Sequence, residues 1–235
     1  MISGRKMKGI IIAAGKGTRL LPLTENVPKV MLEIGGKPAI EHVINMMKSA
    51  GIKDIAITTH HLFHIIQNYF SDGRDFGVSI IYTKEKELVG NSGGIKTLEN
   101  FIDGTFVVIY GDNIADVNLY EMVEFHKNKG ASATIGVYHE KEKPETKGII
   151  ETDDNGKITS FLEKPKNPKS NIANAAIYIL GPSVFRYIPE GFSDFGKDVF
   201  PAMLFAGEPM YVFDVKKLID IGTFETLEQA RNSFR

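Results

Sequence analysis

A glycine-rich loop near the start of the chain has residue types that hold phosphate. The run Gly9–Ala14 is continuously apolar, and the loop Gly15–Leu20 (Gly-Lys-Gly-Thr-Arg-Leu) follows it directly. Glycines let backbone N–H groups turn toward an anion, and open α/β sheets bind ligands beyond the carboxyl ends of their strands. Because Leu20 stands at the third glycine position, the loop is not the dinucleotide pattern Gly-x-Gly-x-x-Gly, and it is not a Walker P-loop. The loop indicates anion binding without identifying the anion.

Four cations lie in the long connection that begins with this loop, namely Lys16, Arg19, Lys29 and Lys37. A connection of this length inside a compact domain is uncommon unless it is functional. Arg19 and Lys29 stand beside glycine and proline in tightly shaped backbone, whereas Lys16 and Lys37 are equally well explained as solvated lysines. The concentration of positive charge near one strand end is suited to a polyphosphate.

Two aspartates form the second chemical signal. Asp112 follows the apolar segment Phe106–Tyr110, and Asp220 follows Leu218 and Ile219 much later in the chain. Two carboxylates brought together make a hard, oxygen-rich site of the kind that Mg²⁺ prefers. On these residues alone, an ordinary turn after each strand explains the aspartates equally well.

The elements that must position these residues alternate between strand and helix over the first half of the chain. The predicted strands are Lys8–Ala14, Asp54–Thr59, Val78–Tyr82 and Phe106–Tyr110. The predicted helices are Pro38–Ala50, Leu62–Phe70, Ser92–Asn100 and Asn118–Lys129. Such alternation predicts a Rossmann-like, mostly parallel α/β sheet flanked by helices.

From about residue 131 the pattern becomes β-rich. The predicted strands are Ser132–Tyr138, Gly148–Thr152, Lys157–Leu162 and Ala175–Leu180, and short helices are predicted at Pro182–Tyr187, Lys197–Ala206 and Phe224–Asn232. Strands with few helices between them suggest a β-rich portion grafted onto the same sheet. We therefore predict one domain over residues 1–235.

Composition excludes several classes of function. Lys plus Arg is 28 and Asp plus Glu is 29, which gives a net charge of −1 and no positive field for nucleic acid or an anionic membrane. Cysteine is absent, which excludes disulfides, thiolate zinc sites and a cysteine nucleophile. No apolar run approaches the roughly 20 residues of a spanning helix. We expect a cytoplasmic protein with no membrane or nucleic-acid partner.

Taken together, the motifs resemble those of the sugar-1-phosphate nucleotidylyltransferases, the NDP-sugar pyrophosphorylases. The resemblance runs along the chain in order, through Gly15–Thr24, Pro28-Lys29, Gly36–Pro38, Val89–Gly94, Gly111-Asp112, Glu163–Pro165, Asn174–Tyr178 and Asp220–Thr223. It implies a GT-A-like nucleotidyltransferase fold, with a nucleotide-binding part in residues 1–130 and a sugar-phosphate-binding part in residues 131–235. The C-terminal β-helix of longer relatives is not expected.

The resemblance also implies the reaction. A sugar 1-phosphate attacks the α-phosphorus of a nucleoside triphosphate, giving an NDP-sugar and pyrophosphate. The attacking phosphate is already anionic, so the site needs charge neutralisation and alignment rather than a protein nucleophile. Mg²⁺, or another divalent cation such as Mn²⁺, would supply part of that neutralisation.

Carried onto this sequence, the resemblance implies four groups of site residues. The catalytic residues are Arg19 on the β- and γ-phosphates, Lys29 on the α-phosphate, Asp112 on the metal and Lys164 on the sugar phosphate. The nucleotide-binding residues are Ala13, Ala14, Gly15, Gly17, Thr18, Arg19, Gly93 and Asp112. The sugar-phosphate-binding residues are Gly148, Glu163, Lys164 and Asn174. The metal ligands are Asp112 and Asp220.

The base and the sugar are less constrained. Gly93 stands where pyrimidine-specific relatives often carry a glutamine, and the missing side chain would leave space for a purine, as in mannose-1-phosphate guanylyltransferase-type members. We therefore expect GTP with mannose 1-phosphate or a related hexose or heptose phosphate. The alternatives are a UTP-, dTTP- or CTP-dependent transferase acting on another phosphorylated acceptor, and a non-catalytic regulatory relative that binds nucleotide sugars.

Three positions depart from the family pattern. Val30 replaces a common proline, Lys147 precedes Gly148 where an aromatic residue is common, and Ala176 stands where glycine is usual. These departures concern the sugar contacts rather than the reaction class. Phe and Tyr total 23 residues, which provides aromatic surface for a homo-oligomer.

Overall fold

A nine-stranded mixed sheet forms the centre of the computed structural model, which describes residues 6–234. Its strands are β1 (Lys8–Ile12), β4 (Asp54–Thr59), β5 (Ser79–Lys84), β6 (Phe106–Tyr110), β8 (Ala133–His139), β9 (Gly148–Thr152), β10 (Ile158–Glu163), β11 (Ile172–Leu180) and β12 (Met210–Asp214). They lie in the order β10-β9-β11-β6-β1-β4-β5, with β8 paired to β11 and β12 paired to β8. Two small ribbons accompany the sheet, β2 (Glu33–Ile34) with β3 (Lys37–Pro38), and β7 (Asn113–Asp116) with β13 (Lys217–Asp220).

Helices cover the sheet as the alternating pattern predicts. They are α1 (Ala39–Ser49), α2 (Phe63–Phe70), α3 (Gly90–Lys96), α4 (Leu119–Lys129), α5 (Phe200–Phe205) and α6 (Phe224–Asn232). The apolar face of α1 that carries Ile40, Val43, Ile44 and Met47 is fully buried, which confirms the periodicity of its sequence. None of the helices in residues 6–234 is long and apolar enough to cross a membrane.

The parallel half of the sheet lies where the apolar runs predict it. Strand β1 pairs in parallel with both β4 and β6, and β5 extends the sheet in parallel beyond β4. Ile10 and Ile11 on β1 are completely buried although they face opposite sides of the sheet, as expected for a strand covered on both faces. Parallel pairing places the carboxyl ends of these strands along one edge.

The β-rich second part is continuous with that sheet. Strand β11 pairs antiparallel with β9 at its start and with β6 over its last four residues, and it pairs antiparallel with β8 on both sides of the irregularity between them. The mixed sheet flanked by helices confirms the predicted fold class, and β11 is the strand that joins its two parts.

Several short elements differ from the prediction. The strands β2, β3, β7 and β13 are two to four residues long, too short for a pattern of alternation to reveal them. The helix predicted at Ser92–Asn100 begins earlier, at Gly90, and ends at Lys96, followed by a separate 3₁₀ turn. The helix predicted at Lys197–Ala206 is instead a π-helical turn over Phe195–Val199 that continues into α5.

An irregular turn interrupts β11 between the part that pairs with β9 and the part that pairs with β6. The strand register shifts between Asn174 and Tyr178, and Ala176 adopts a left-handed conformation with φ of 53°. The Asn174 Oδ1 atom accepts a hydrogen bond of 2.9 Å from the Ala176 N–H, and the Asn113 amide donates to the Ala175 carbonyl at 2.8 Å. Only glycine adopts this φ without steric cost, which explains why relatives usually carry glycine at this position.

We predict that Ala176→Gly stabilises the protein. A left-handed conformation costs a non-glycine residue about 1 kcal/mol, and removing Cβ relieves that cost. The free energy of unfolding in urea should rise by up to about 1 kcal/mol. The matched variant Ala173→Gly lies in a regular part of the same strand and should lower the free energy of unfolding. Equal destabilisation by both variants would contradict the prediction.

Candidate active site

Two clefts open at the edge where the parallel strands end. The first, which we call the loop cleft, has a volume of about 300 Å³ and is lined by Ile12, Ala13, Ala14, Gly15, Lys29, Val30, Leu88, Gly90, Asn91, Tyr110, Asp112 and Phe192. The second, the strand cleft, has a volume of about 660 Å³, and its lining includes Arg19, Asp112, Lys147, Gly148, Glu163, Lys164, Asn174, Asp194 and Asp220. Asn91, Tyr110 and Asp112 line both clefts, so the two share a wall.

The glycine-rich loop forms one rim of the loop cleft. Gly17 adopts a left-handed conformation with φ of 66°, and a Cβ there would lie 3.0 Å from the Cβ of Lys29. Thr24 donates its hydroxyl to the Gly17 carbonyl at 2.8 Å, which closes the loop. A Cβ at Gly15 would meet no atom of residues 6–234 within 4 Å, so the backbone there is open to a ligand. Thr18 lies in the exposed turn that leads to Arg19.

Lys29 forms a salt bridge with Asp112 on the shared wall. Burial alone lowers the pKa of the Lys29 ammonium, but the charges of Asp112 and Asp220 outweigh burial and raise the pKa above its usual value. For Asp112, burial alone raises the pKa, while the adjacent Lys29 charge reverses this effect and holds the pKa below its usual value. The pair therefore stays charged in a largely buried place.

The ribbon of β7 and β13 brings the two aspartates together. Asp220 is paired with Asn113 in this ribbon, and the Ile221 N–H donates to the Asp112 carbonyl at 3.2 Å. Burial and then the Asp112 charge raise the pKa of Asp220 to about 6. A Cβ at Gly222 would lie 2.8 Å from the Arg19 guanidinium and 3.2 Å from Asp220 Oδ1, so glycine allows these two groups to approach each other.

The aspartate pair fits a divalent cation. The Asp220 Oδ1 atom is buried and has no hydrogen-bond partner among residues 6–234, which leaves a hard oxygen ligand unsatisfied. Within residues 6–234 no cluster of three or more His, Cys, Asp and Glu side chains could enclose a metal. One or two carboxylates completed by substrate phosphates is the usual arrangement for Mg²⁺, and this site has that composition.

Glu163 lies deep in the strand cleft between two glycines. A Cβ at Gly148 or Gly196 would come within 2.9 Å or 2.8 Å of its carboxylate, so glycine on both sides lets the carboxylate occupy this position. Burial, followed by the charge of Asp194, raises the pKa of Glu163. Lys164 pairs with Glu163 at 3.6 Å and has a side chain that is 64% exposed, so its ammonium is available to an anion at the mouth of the cleft.

The structure changes the significance of two predicted residues. A Cβ at Gly93 would lie 2.5 Å from the Gly191 carbonyl, and Gly93 does not line the loop cleft. The absence of a side chain there permits chain packing and opens no space for a larger base. The Asn174 amide holds the β11 turn and donates to the Tyr178 hydroxyl at 2.9 Å, so its own side chain is partly committed to structure.

Two residues that were not predicted from the sequence, and a third noted there only as a departure from the family pattern, also line the clefts. Phe192 on the rim of the loop cleft is 71% exposed, and Asp194 lines the strand cleft on the same side as Glu163, next to Gly196. Lys147 lies near enough to Asp220 to counter part of the rise in its pKa. Of the three, only Lys147 could be noticed in the sequence, because it departs from the family pattern. Phe192 and Asp194 come from a loop with no recognised motif.

The chain is similar to known proteins both in sequence and in fold. The family model described as "Nucleotidyl transferase" matches residues 8–235. A UTP–glucose-1-phosphate uridylyltransferase from Synechocystis is 39% identical over 95% of this chain and 62% of its own length. A mannose-1-phosphate guanyltransferase from Yarrowia lipolytica is 37% identical over 92% of this chain and 61% of its own length. The chain thus spans about three-fifths of the length of these two curated relatives.

A solved structure from Bacillus anthracis, assigned as a glucose-1-phosphate thymidylyltransferase, superposes with a TM-score of 0.90. It is 31% identical and covers 97% of this chain and 95% of its own. The family model spans almost the entire chain, and these relatives share the resemblance inferred from the motifs. The chain therefore belongs to the nucleotidyl transferase family, the family of the sugar-1-phosphate nucleotidylyltransferases.

Proposed function

We propose that this protein transfers a nucleotidyl group from a nucleoside triphosphate to a sugar 1-phosphate. The observation that carries the proposal is the buried group of Lys29, Asp112 and Asp220, with Arg19 beside it, at the wall shared by two clefts. One cleft accepts the nucleotide and the other the sugar phosphate, so the reacting groups meet where the charges are concentrated. A sugar-phosphate oxygen bonds to the α-phosphorus, the bond from that phosphorus to the bridging oxygen breaks, and pyrophosphate leaves.

Each cation has a distinct task in this proposal. Lys29 contacts the α-phosphate and neutralises charge that develops during transfer. Arg19 holds the β- and γ-phosphates with its planar guanidinium, a geometry that suits bidentate phosphate contacts. Lys164 binds the sugar phosphate, and Glu163 accepts hydrogen bonds from sugar hydroxyls. No side chain has to act as a nucleophile, because the incoming phosphate is already anionic.

Asp112 and Asp220 would hold Mg²⁺ or Mn²⁺. Bound there, the cation would neutralise phosphate charge and polarise the reacting phosphoryl group. The buried Asp220 oxygen without a partner supports this assignment. Together with Lys29 and Arg19, the pair also argues against a non-catalytic regulatory relative, since binding a nucleotide sugar alone does not require a buried, mutually compensating charge group.

Two substrate pairs are the main candidates. GTP with mannose 1-phosphate, or a related hexose or heptose phosphate, follows from the motif resemblance and matches the name of the Yarrowia relative. UTP with glucose 1-phosphate matches the name of the Synechocystis relative. The packing of Gly93 against Gly191 removes the steric argument for a purine base. UTP with glucose 1-phosphate is therefore supported as well as GTP with mannose 1-phosphate.

Pyrophosphate release tests the function and the substrate together. The protein, with Mg²⁺, is incubated with ATP, GTP, CTP, UTP or dTTP, each against glucose 1-phosphate, mannose 1-phosphate and a heptose 1-phosphate. We expect release with GTP or UTP in a sugar-dependent manner. No release with any pair, from folded protein that binds nucleotide, would refute the proposed activity and favour the regulatory alternative.

We predict that Lys29→Met lowers kcat by about 10²–10³-fold, the usual effect of removing one charge-stabilising group. Methionine preserves the length of the side chain while removing its charge. The measurement is the rate of pyrophosphate release at saturating substrates, with thermal unfolding as the check on folding. The control Lys127→Met removes a surface lysine that pairs with Glu124 on α4, and its kcat should stay within about twofold of wild type. A Lys29→Met enzyme with near-normal kcat would contradict the assigned role.

We predict that Asp220→Asn weakens divalent-cation binding, because the amide carries no charge and is a poorer ligand. Mn²⁺ binding in the presence of nucleotide, followed by electron paramagnetic resonance, should weaken by at least about tenfold. The control Asp116→Asn alters an exposed aspartate on the paired strand β7 and should leave Mn²⁺ binding unchanged. Equal Mn²⁺ affinity in wild type and Asp220→Asn would exclude Asp220 as a ligand.

A further inference from the structure

The rims of the two clefts are joined by several hydrogen bonds. The segment Val89–Gly93 at the start of α3 runs beside the segment Gly191–Gly196, and we call their contact the rim junction. The Ser193 N–H donates to the Val89 carbonyl at 2.9 Å, and the Ser92 N–H donates to the Ser193 carbonyl at 3.2 Å. The hydroxyls of Ser92 and Ser193 are also hydrogen-bonded, at 2.6 Å, and both side chains are fully buried.

The two segments are in such close contact that side chains are excluded. A Cβ at Gly90 would overlap the Ser193 carbonyl, and a Cβ at Gly93 would lie 2.5 Å from the Gly191 carbonyl. Displacing one segment must therefore displace the other. A ligand that orders the start of α3 also orders the chain around Ser193.

Asn91 is the member of the rim junction that faces both clefts. Its amide nitrogen donates to Asp194 Oδ2 at 2.5 Å, and its amide oxygen accepts from the Phe195 N–H at 2.7 Å. Both hydrogen-bonding groups of its side chain are thus used by the opposite segment. An amide is the side chain that can donate to a carboxylate and accept from a backbone N–H at once.

Asp194 carries the connection into the strand cleft. Its Oδ1 atom accepts from the backbone N–H groups of Gly196 at 2.9 Å and Lys197 at 3.1 Å, so the Asn91 bond fixes the remaining oxygen. Asp194 lines the strand cleft with Glu163, and its charge raises the pKa of that neighbour. Two carboxylates on one wall are suited to adjacent hydroxyl groups of a sugar ring.

We propose that Asn91 is a positioning residue that couples nucleotide binding in the loop cleft to sugar-phosphate binding in the strand cleft by fixing Asp194. The inference rests on the proposed function, because it assigns the nucleotide and the sugar to those clefts. A nucleotide in the loop cleft orders Val89–Gly93, and the hydrogen bond from the Asn91 amide then holds the Asp194 carboxylate in one orientation. The sugar phosphate then meets a carboxylate that is already oriented, which reduces the entropy lost on binding.

The direct test measures this coupling in Asn91→Ala. Sugar 1-phosphate is titrated calorimetrically with and without the α,β-methylene analogue of the nucleotide that supports pyrophosphate release. In the wild type we expect the analogue to tighten sugar-phosphate binding about tenfold. In Asn91→Ala the enhancement should fall to about twofold or less, while the affinity for the analogue alone changes by less than about threefold. In turnover, KM for the sugar phosphate should rise more than KM for the nucleotide.

Ser193→Ala is the matched control, because it removes the buried hydroxyl bond of the same junction and touches neither cleft. It should keep the enhancement even if it lowers the melting temperature. Loss of the enhancement in Ser193→Ala as well would show general loosening of the junction and overturn the assignment to Asn91. Full enhancement in Asn91→Ala, or no enhancement in the wild type, would also overturn it. Asn91→Ser provides a second variant if the alanine variant does not fold.

Hydrogen exchange separates this inference from the proposed function. GTP or UTP with Mg²⁺ should slow amide exchange in residues 191–197 of the wild type but not of Asn91→Ala, and this readout requires no turnover. If no substrate pair releases pyrophosphate and this protection is still observed, the coupling stands and the proposed reaction fails. If nucleotide binds and residues 191–197 are not protected, the coupling is wrong whatever the enzyme catalyses.

Discussion

Two carboxylates and an ammonium group must be buried together at the wall between the clefts, and the surrounding structure satisfies that constraint. A buried charge without a partner would be strongly destabilising, so Lys29 and Asp112 depend on each other. Burial, and then the charge of Asp112, raise the pKa of Asp220, and Lys29 compensates only part of this rise. One buried oxygen of Asp220 has no hydrogen-bond partner among residues 6–234, so a feature that is destabilising without a cation is also the one that suits a cation.

Glycine has two distinct tasks around this centre. Gly17 permits a left-handed turn that folds the loop over Lys29, while Gly148 and Gly222 remove bulk so that charged side chains can approach each other. Gly90 and Gly93 serve a further purpose, the close contact of two chain segments at the rim junction. The glycines of this chain are therefore needed for close packing as well as for the turn of the glycine-rich loop.

The fold could be predicted because its central strands are long apolar runs and its helices follow them in strict alternation. The residues Arg19, Lys29, Asp112 and Asp220 could be proposed from residue type and motif order, and the structure does bring them together. The close packing of Gly93 against Gly191 could not be predicted, because Gly191 is distant in sequence and belongs to a loop without periodicity. Asn91 and Asp194 were missed as a pair for the same reason, since only the folded chain places their side chains 2.5 Å apart.

The ribbon of β7 and β13 has a consequence for how the protein is made. Strand β7 leaves the ribosome with the parallel half of the sheet, but its partner β13 is synthesised only after the whole β-rich part. Until then Asp112 has Lys29 but no second carboxylate beside it. A nascent chain can therefore complete most of its sheet before Asp220 reaches Asp112, and the last contacts to form, which have high contact order, are the ones that bring the two aspartates together.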